Sequence, residues 1–395
     1  MVRRARVHSR DVQLSIAAPK ALFGAARVQR LDMPLTINTT DVDELGRKLH
    51  VGTTSEIPAV TVTMEAFDVS HNTFAYLTGY TPGTFPVSGA SITEFKNVDA
   101  IGSIKNATTN VIETSIVVKR GIVTGLDASF GVQNNSTVTY TIQSNSKKLF
   151  RDAVFYDKFT VASGSAVVTL TNTPRYLTRT SGYVIDAYRT GTDGSTGYLT
   201  EGTDFTVTGS TVTFAPTGTS AGDVIWVLYS SSASGSFQAL DNVAPAAIQG
   251  KYVPVTISVS SIPRVQSATI RASFQADQIL EMGGLGKPVG YEIGVPQVTG
   301  DISVLRTDND LMSLLEGVST TTVETDIEYA LTTLPLKIQL ENPANPSQVL
   351  LTYYVPNITI TATGEDSQVN ASMNETFSWK STTGELIVIS GAGPY

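Results

Sequence analysis

The chain has 395 residues, 27 Lys+Arg against 35 Asp+Glu, a formal net charge of −8 and no cysteine. The acidic balance argues against a protein that clamps nucleic acid through its phosphates, and the missing thiols exclude disulfides, thiolate metal sites and cysteine nucleophiles. Three histidines (His8, His50, His71) leave little for a histidine-based active site, while 16% charged residues and 32 glycines point to a β-rich chain with many turns.

Residues 1–20 carry five basic residues and one acidic one. They read as a basic N-terminal arm, either a dock for an acidic neighbour or a solvated tail. Met1–Arg10 resembles a signal n-region, but Asp11, Gln13, Ser15 and Lys20 break up any apolar h-region. No stretch approaches the run of about 18 apolar residues of a membrane helix, so the sequence reads as a protein made in the cytoplasm. In that setting the sequons at Asn38, Asn106 and Asn357 carry no meaning.

Thr alternating with Val or Ile recurs along the chain, in Val60–Met64, Thr114–Val118, Thr137–Ile142 and Asn357–Thr361. This is the pattern of half-buried strands, apolar side chains inward and hydroxyls to water. Helical periodicity is confined to two segments. Thr307–Gly317 has a capping Thr307 or Asp308, an apolar face of Leu311, Leu314 and Leu315, and a terminal Gly317. Ser70–Gly79 is a weaker match, with Phe74 and Leu77 three apart.

Residues 151–236 read as a separate β-sandwich. Two alternating runs, 204–208 and 211–214, meet at the hairpin signal Gly209-Ser210. Val224–Tyr229 reads as a buried strand, and Ser230–Ser236 as a linker. The flanks of this unit, 21–150 and 237–395, match each other. Val28-Gln29 corresponds to Val265-Gln266, Glu44-Leu-Gly46 to Glu281-Met-Gly283, Ile57-Pro58 to Val295-Pro296, and Gly125 and Asp127 to Gly364 and Asp366. The offset drifts only from 237 to 239, and the two candidate helices fall on each other. One supersecondary plan used twice explains this.

The repeated unit resembles the major tail tube protein of tailed bacteriophages. The resemblance lies in Asp43-Glu-Leu-Gly46 and Glu56–Asp68 of the first flank. In the second it lies in Pro296–Leu305, Asn309–Leu315 and Tyr354–Thr361. It covers about residues 20–150 and 255–390, and the insert is similar to the immunoglobulin-like domains that decorate virion proteins. The resemblance implies an all-β fold: two tandem tail-tube-type sandwich or barrel repeats, each with one short helix, flanking an immunoglobulin-like insert. Such units form six-sector rings that stack into a hollow DNA conduit. Two copies per chain depart from the single-copy pattern, so three chains would close a pseudo-hexameric ring. The implied partners are other copies of the chain, a tape measure in the lumen, a tail terminator and a tail tip. DNA passes without specific binding, no membrane is involved, and the location is the virion.

The acidic balance, strongest after residue 250, suits a channel wall that repels phosphate. Two long loops at matching positions, about 38–57 and 275–295, suit contact with the next ring. They carry Asp41, Asp43, Glu44, Leu45, Gly46 and Arg47, and Glu281, Met282, Gly283, Gly284 and Leu285. No catalytic, cofactor-binding or metal-ligating residue is assigned. His50 and His71 have no ligand cluster around them. Gly283–Lys287 lacks the Ser/Thr of a phosphate loop, because Pro288 follows the lysine. Asp193-Gly-Ser195 and Asp308-Asn-Asp310 do not continue into a calcium loop. Two other readings stay open. One is a multi-module surface adhesin, which predicts a monomer with an aromatic groove; Tyr183, Tyr188, Tyr198 or Trp226 would contact sugar. The other is a β-fold polysaccharide-degrading enzyme.

Overall fold

Alternating Thr/Val runs become strands nearly everywhere: strand makes up 61% and helical turn 6%, an all-β fold. The computed structural model describes residues 9–18, 21–37, 39–42, 52–55, 58–67, 69–162, 167–179, 181–192, 196–215, 219–240, 245–258, 260–280, 288–305, 333–366 and 373–393. The first flank holds β1 (Val12–Ala18), β2 (Ala21–Gly24), β3 (Val28–Asp32), β4 (Leu35–Thr36), β5 (Thr39–Val42), β6 (Gly52–Ser55) and β7 (Ala59–Ala66). After helix α1 (Asn72–Leu77) come β8 (Ala90–Ser91), β9 (Val98–Lys105), β10 (Ile112–Gly131), β11 (Thr137–Ser144) and β12 (Lys147–Phe150). The insert holds β13 (Ala153–Thr160), β14 (Val167–Thr169), β15 (Val184–Thr190), β16 (Thr196–Tyr198), β17 (Phe205–Thr208), β18 (Thr211–Phe214) and β19 (Val224–Ser231). The second flank holds β20 (Val255–Ile257), β21 (Ser260–Ser261), β22 (Val265–Ser273), β23 (Ala276–Leu280), β24 (Pro288–Ile293), β25 (Gln297–Leu305), β26 (Leu334–Asn342), β27 (Asn345–Asp366), β28 (Asn374–Ser381) and β29 (Ile387–Ser390).

The weaker helix expectation is met by α1. Phe74, Ala75 and Leu77 are buried, Thr78 Oγ1 bonds back to the Phe74 carbonyl at 2.9 Å, and Gly79 ends the turn at φ 83°. The stronger one, Thr307–Gly317, lies outside the described residues. Val12–Ala18 corrects the reading of residues 1–20 as an arm: it is a strand whose Leu14, Ile16 and Ala18 enter the main core.

The two flanks share one hydrophobic core, and the antiparallel network curls around it as a barrel-shaped body. The pairings run in the order β3, β7, β11, β10, β22, β25, β28, β27, an eight-strand sheet crossing both flanks. A second layer of β2, β1, β9, the first half of β10, and β12 covers the first flank's side of the same core. Leu14, Ala100 and Val118 of that layer point into the main core, whereas Ala17, Ile101 and Val117 point the other way.

On that far side sits the insert, a sandwich of a four-stranded sheet (β13, β19, β15, β16) and a three-stranded sheet (β14, β18, β17). Its hairpin turns at Gly209 (φ 61°), as the Gly-Ser signal predicts. Ser230 and Ser231, read as linker, instead complete β19: they pair with Val154 and Ala153, and the Ser231 hydroxyl donates to the Thr173 carbonyl at 2.7 Å. The returning chain is strapped to β1, since Gln13 donates to the Gln238 carbonyl and accepts from the Gln238 N–H, both at 2.8 Å.

The flanks repeat one another in detail. Strands β11 and β28 lie 237 residues apart and have the same alternation of burial along all eight positions. Val28 opposite Ala66 recurs as Val265 opposite Val304, followed in each case by a bulge. Arg27 and Arg264 precede these bulges at φ 56° and 59°, and Gln29 and Gln266 each donate a side-chain bond to the arginine carbonyl, at 3.0 and 3.1 Å. A second bulge falls after Val123 and again after Ile360. There the pairing corrects the alignment: Gly125 faces Thr141 and Ala362 faces Ser378, so Gly125 corresponds to Ala362 rather than Gly364.

Candidate functional site

The outer face of the eight-strand sheet follows from strict alternation. With Val60, Val62 and Met64 inside, β7 turns out Thr61, Thr63 and Glu65. In the same way β11 presents Thr137, Thr139, Thr141 and Gln143, β22 presents Ser267, Thr269, Arg271 and Ser273, and β25 presents Gln297, Thr299, Asp301 and Ser303. Threonine and serine suit this position: β-branching favours the strand and the hydroxyl faces water. The result is a wall of hydroxyls with few charges. Arg271 is held by Asp301, Nη1 to Oδ2 at 3.2 Å, and Asp301 also accepts from the Ser378 hydroxyl at 2.7 Å. Desolvation raises the Asp127 carboxyl above its ordinary range, and the nearby Arg271 pulls it back.

The flanks meet in the middle of this sheet. The second half of β10 pairs with β22 from Gly125 opposite Ser273 to Gly131 opposite Ser267. The junction buries Ala268, Ile270 and Ala272, and continues as the Phe274 N–H donates to the Thr124 carbonyl at 2.9 Å and its ring meets Phe95 edge-on at 6.0 Å. The equivalent edges at the two ends of the sheet have no such partner among the described residues. Among the described residues β3 and β4 pair only with β7, and Thr359–Asp366 of β27 only with β28. Leu35, at the position of Ala272, is 43% exposed against 1%; Ile37, at the position of Phe274, is 52% exposed against 9%.

The two predicted loops stand at matching places as separate two-stranded hairpins, β5–β6 and β23–β24. Asp41 lies exposed on β5, opposite Thr53. Asp43, Glu44, Leu45, Gly46 and Arg47, and Glu281, Met282, Gly283, Gly284 and Leu285, lie outside the described residues. Ile279, Ile293 and Val295 are exposed on or beside the second hairpin.

A feature with no local sequence signal lies at the seam between insert and barrel. Ile185 and Leu228 pack on Ala17, Ile101 and Val117. Beside them β10 kinks at Arg120 (φ 49°). Its guanidinium grips Asp186 of the insert at 3.0 and 2.8 Å, its N–H donates to Asp99 at 2.7 Å, and it lies 3.9 Å over the Tyr198 ring. Burial, then the nearby Asp186 charge, pushes the Asp99 carboxyl up to about 7. Trp226 stacks on Tyr156 at 4.8 Å, and Tyr188 meets Tyr198 edge-on at 5.2 Å. Of the four aromatics named for sugar contact, Tyr198 thus packs under Arg120 at the seam, while Tyr188 and Trp226 pack on other rings of the insert. His71 Nε2 lies 3.4 Å from the Pro82 carbonyl, and its ring is near Phe85. No protein-family model matches the chain, and no curated protein matches it either.

Proposed function

We propose that the chain is a structural subunit that polymerises through its own sheet edges into rings enclosing a channel, as in the major tail tube of a phage virion. One observation carries this reading: the chain contains one complete flank-to-flank junction and the two exposed halves of another. Pairing the end of β27 with β3–β4 of the next copy, in the manner of β10 with β22, covers Leu35 and Ile37 and satisfies both edges. Such a head-to-tail contact closes when its rotation divides the circle. With two flanks per chain, three chains make six sectors.

The hydroxyl wall would then line the channel. It presents few cations, so phosphates find little to hold them and DNA slides. The insert sits on the layer opposite the wall and so points outward, which favours a long tail without a close-fitting sheath. The hairpins β5–β6 and β23–β24 would meet the next ring. Tape measure, terminator and tip proteins would be the further partners.

Negative-stain microscopy of the purified chain over a concentration series tests this. Rings or tubes are expected for the native chain, and rings without tubes after deletion of residues 40–55. Single particles at every concentration would reject the reading and leave the adhesin.

A further inference from the structure

We propose that Lys147 guards the open edge of β3–β4 and passes, when a second copy of this chain docks there, to the acidic pair Glu365 and Glu375 of that copy. The inference rests on the head-to-tail reading above and names the charge contact that selects its partner.

The closed junction is the internal standard. In it Ala128 of β10 faces Val138 of β11 on one side and Ile270 of β22 on the other. All three are buried and apolar. Two backbone bonds bracket the β10–β22 pairing, Phe274 N–H to the Thr124 carbonyl at 2.9 Å and Val132 N–H to the Gln266 carbonyl at 3.0 Å. Every second residue of an antiparallel strand turns its backbone groups to the same neighbour. The Ile270 carbonyl, midway between Gln266 and Phe274, is therefore turned to β10.

The open edge repeats this row with other chemistry. Leu31 faces Met64 and Leu35 faces Val60, as Ala268 faces Ile302 and Ala272 faces Val298, so Met33 stands where Ile270 does. The Met33 carbonyl meets no strand among the described residues and accepts from the Lys147 ammonium instead. Lysine at an exposed edge is a device against unwanted pairing. Across the matching β12 and β29 pairings the counterpart of Lys147 is Glu385, so the closed junction carries no such guard.

At the other open end, Ala128 opposite Val138 recurs as Glu365 opposite Glu375, both members displaced by 237 residues, as is the bulge before them. Glu375 is 5% exposed, on the side of β28 that carries Phe377 and Trp379 into the core. Like charges directly opposite are unfavourable in a sheet. Docking in the register of β10 on β22 sets Glu365 opposite Met33 of the next copy. The incoming N–H takes the Met33 carbonyl, and the displaced ammonium falls beside two acidic residues. One step on, the same register sets Asp366 opposite Asp32, so acids gather along the contact and the ammonium offsets part of that charge. A strand without such acids would displace Lys147 and leave it unanswered, which selects against the wrong partner.

Sedimentation velocity and negative-stain microscopy of full-length chains test this. Lys147→Glu should raise the concentration needed for rings about tenfold or more, while circular dichroism stays native. Glu365→Lys should do the same. The double variant Lys147→Glu/Glu365→Lys should regain assembly, because every head-to-tail contact then carries the reversed pair. If Lys147→Glu fails to fold, Lys147→Met removes the charge alone and serves in its place. Lys148→Glu makes the same charge change on the opposite face of β12 and should assemble within about twofold of native. Native-like assembly of a folded Lys147 variant would overturn the proposal. So would a double variant no better than either single one, or an equal loss from Lys148→Glu. A native chain that stays single at every concentration is a separate result, which removes the function proposed above and this contact with it.

Discussion

β22 and β3–β4 are one strand in two settings. The first lies between β10 and β25; among the described residues the second has β7 on one side only. Small Ala268 and Ala272 fill the closed junction, while Leu31 and Leu35 stand at the same positions on the open one. An exposed leucine alone means nothing. Here its counterpart is buried within the same molecule, and on the proposed reading the exposure is the place of a neighbouring copy. The core pairs differ too. Ile142 faces Val62 in the first flank, whereas Trp379 faces Gly300 at the equivalent place in the second. One large and one small residue replace two of middling size, the exchange that close packing tolerates best.

Substitution at Gly300 tests that comparison hardest. A Cβ there would lie 2.0 Å from the Thr269 carbonyl oxygen and 2.5 Å from the Trp379 ring. Gly300→Ala should cost about 3 kcal/mol or more in denaturant unfolding, against about 1–2 kcal/mol for Val62→Ala. A smaller loss at Gly300 would break the idea of compensated packing. Next come the paired changes Ala272→Asp and Leu35→Asp. The first buries an unpaired carboxylate and should cost about 3 kcal/mol. The second should leave the monomer within about 0.5 kcal/mol of native while abolishing rings by sedimentation velocity. Equal damage from both would make the open edge an ordinary surface.

Removing the seam's guanidinium with Arg120→Ala leaves Asp186 with the Lys119 ammonium, 3.7 Å away, as its remaining ion pair. Because the arginine side chain is 44% exposed, solvent screens part of the loss, and about 2 kcal/mol is expected. Hydrogen exchange should rise along β15 and β19 while β28 stays protected; uniform loosening would argue against a separate seam. A last test is the pH response of Asp99. Its folded value, about 7, stands above the ordinary 3.8, so its contribution is complete below about pH 4 and is lost as pH rises to 7. Asp99→Asn should flatten that decline in thermal melts, and an unchanged slope would assign it elsewhere.

Much of this was legible because it is local. Thr/Val alternation predicts β7 and β11, the Gly209-Ser210 turn predicts the β17–β18 hairpin, and Val28-Gln29 with Val265-Gln266 marks the bulge used twice. What stayed hidden depends on partners far along the chain. β1 looks like a polar arm because Gln13 and Ser15 interrupt it, yet Gln13 is buried against Gln238, 225 residues away. Asp99 and Asp186 lie 21 and 66 residues from Arg120, a spacing with no motif to betray it. The loops read as stacking contacts contain the hairpins β5–β6 and β23–β24, and their tips, Asp43–Arg47 and Glu281–Leu285, lie outside the described residues. Strand order also separates what composition blurs: among the described acids of the second flank, Asp277, Glu292 and Glu341 lie on β23, β24 and β26, outside the eight-strand sheet, so net charge alone says little about that surface.

The insert leaves the barrel just after Phe150 and returns past Gln238 alongside β1, so both ports open on a single layer. A cargo domain spliced between those ports in place of the sandwich would inherit its station on that layer. If three chains close a ring as proposed, each ring would then carry three such passengers, set at every second corner.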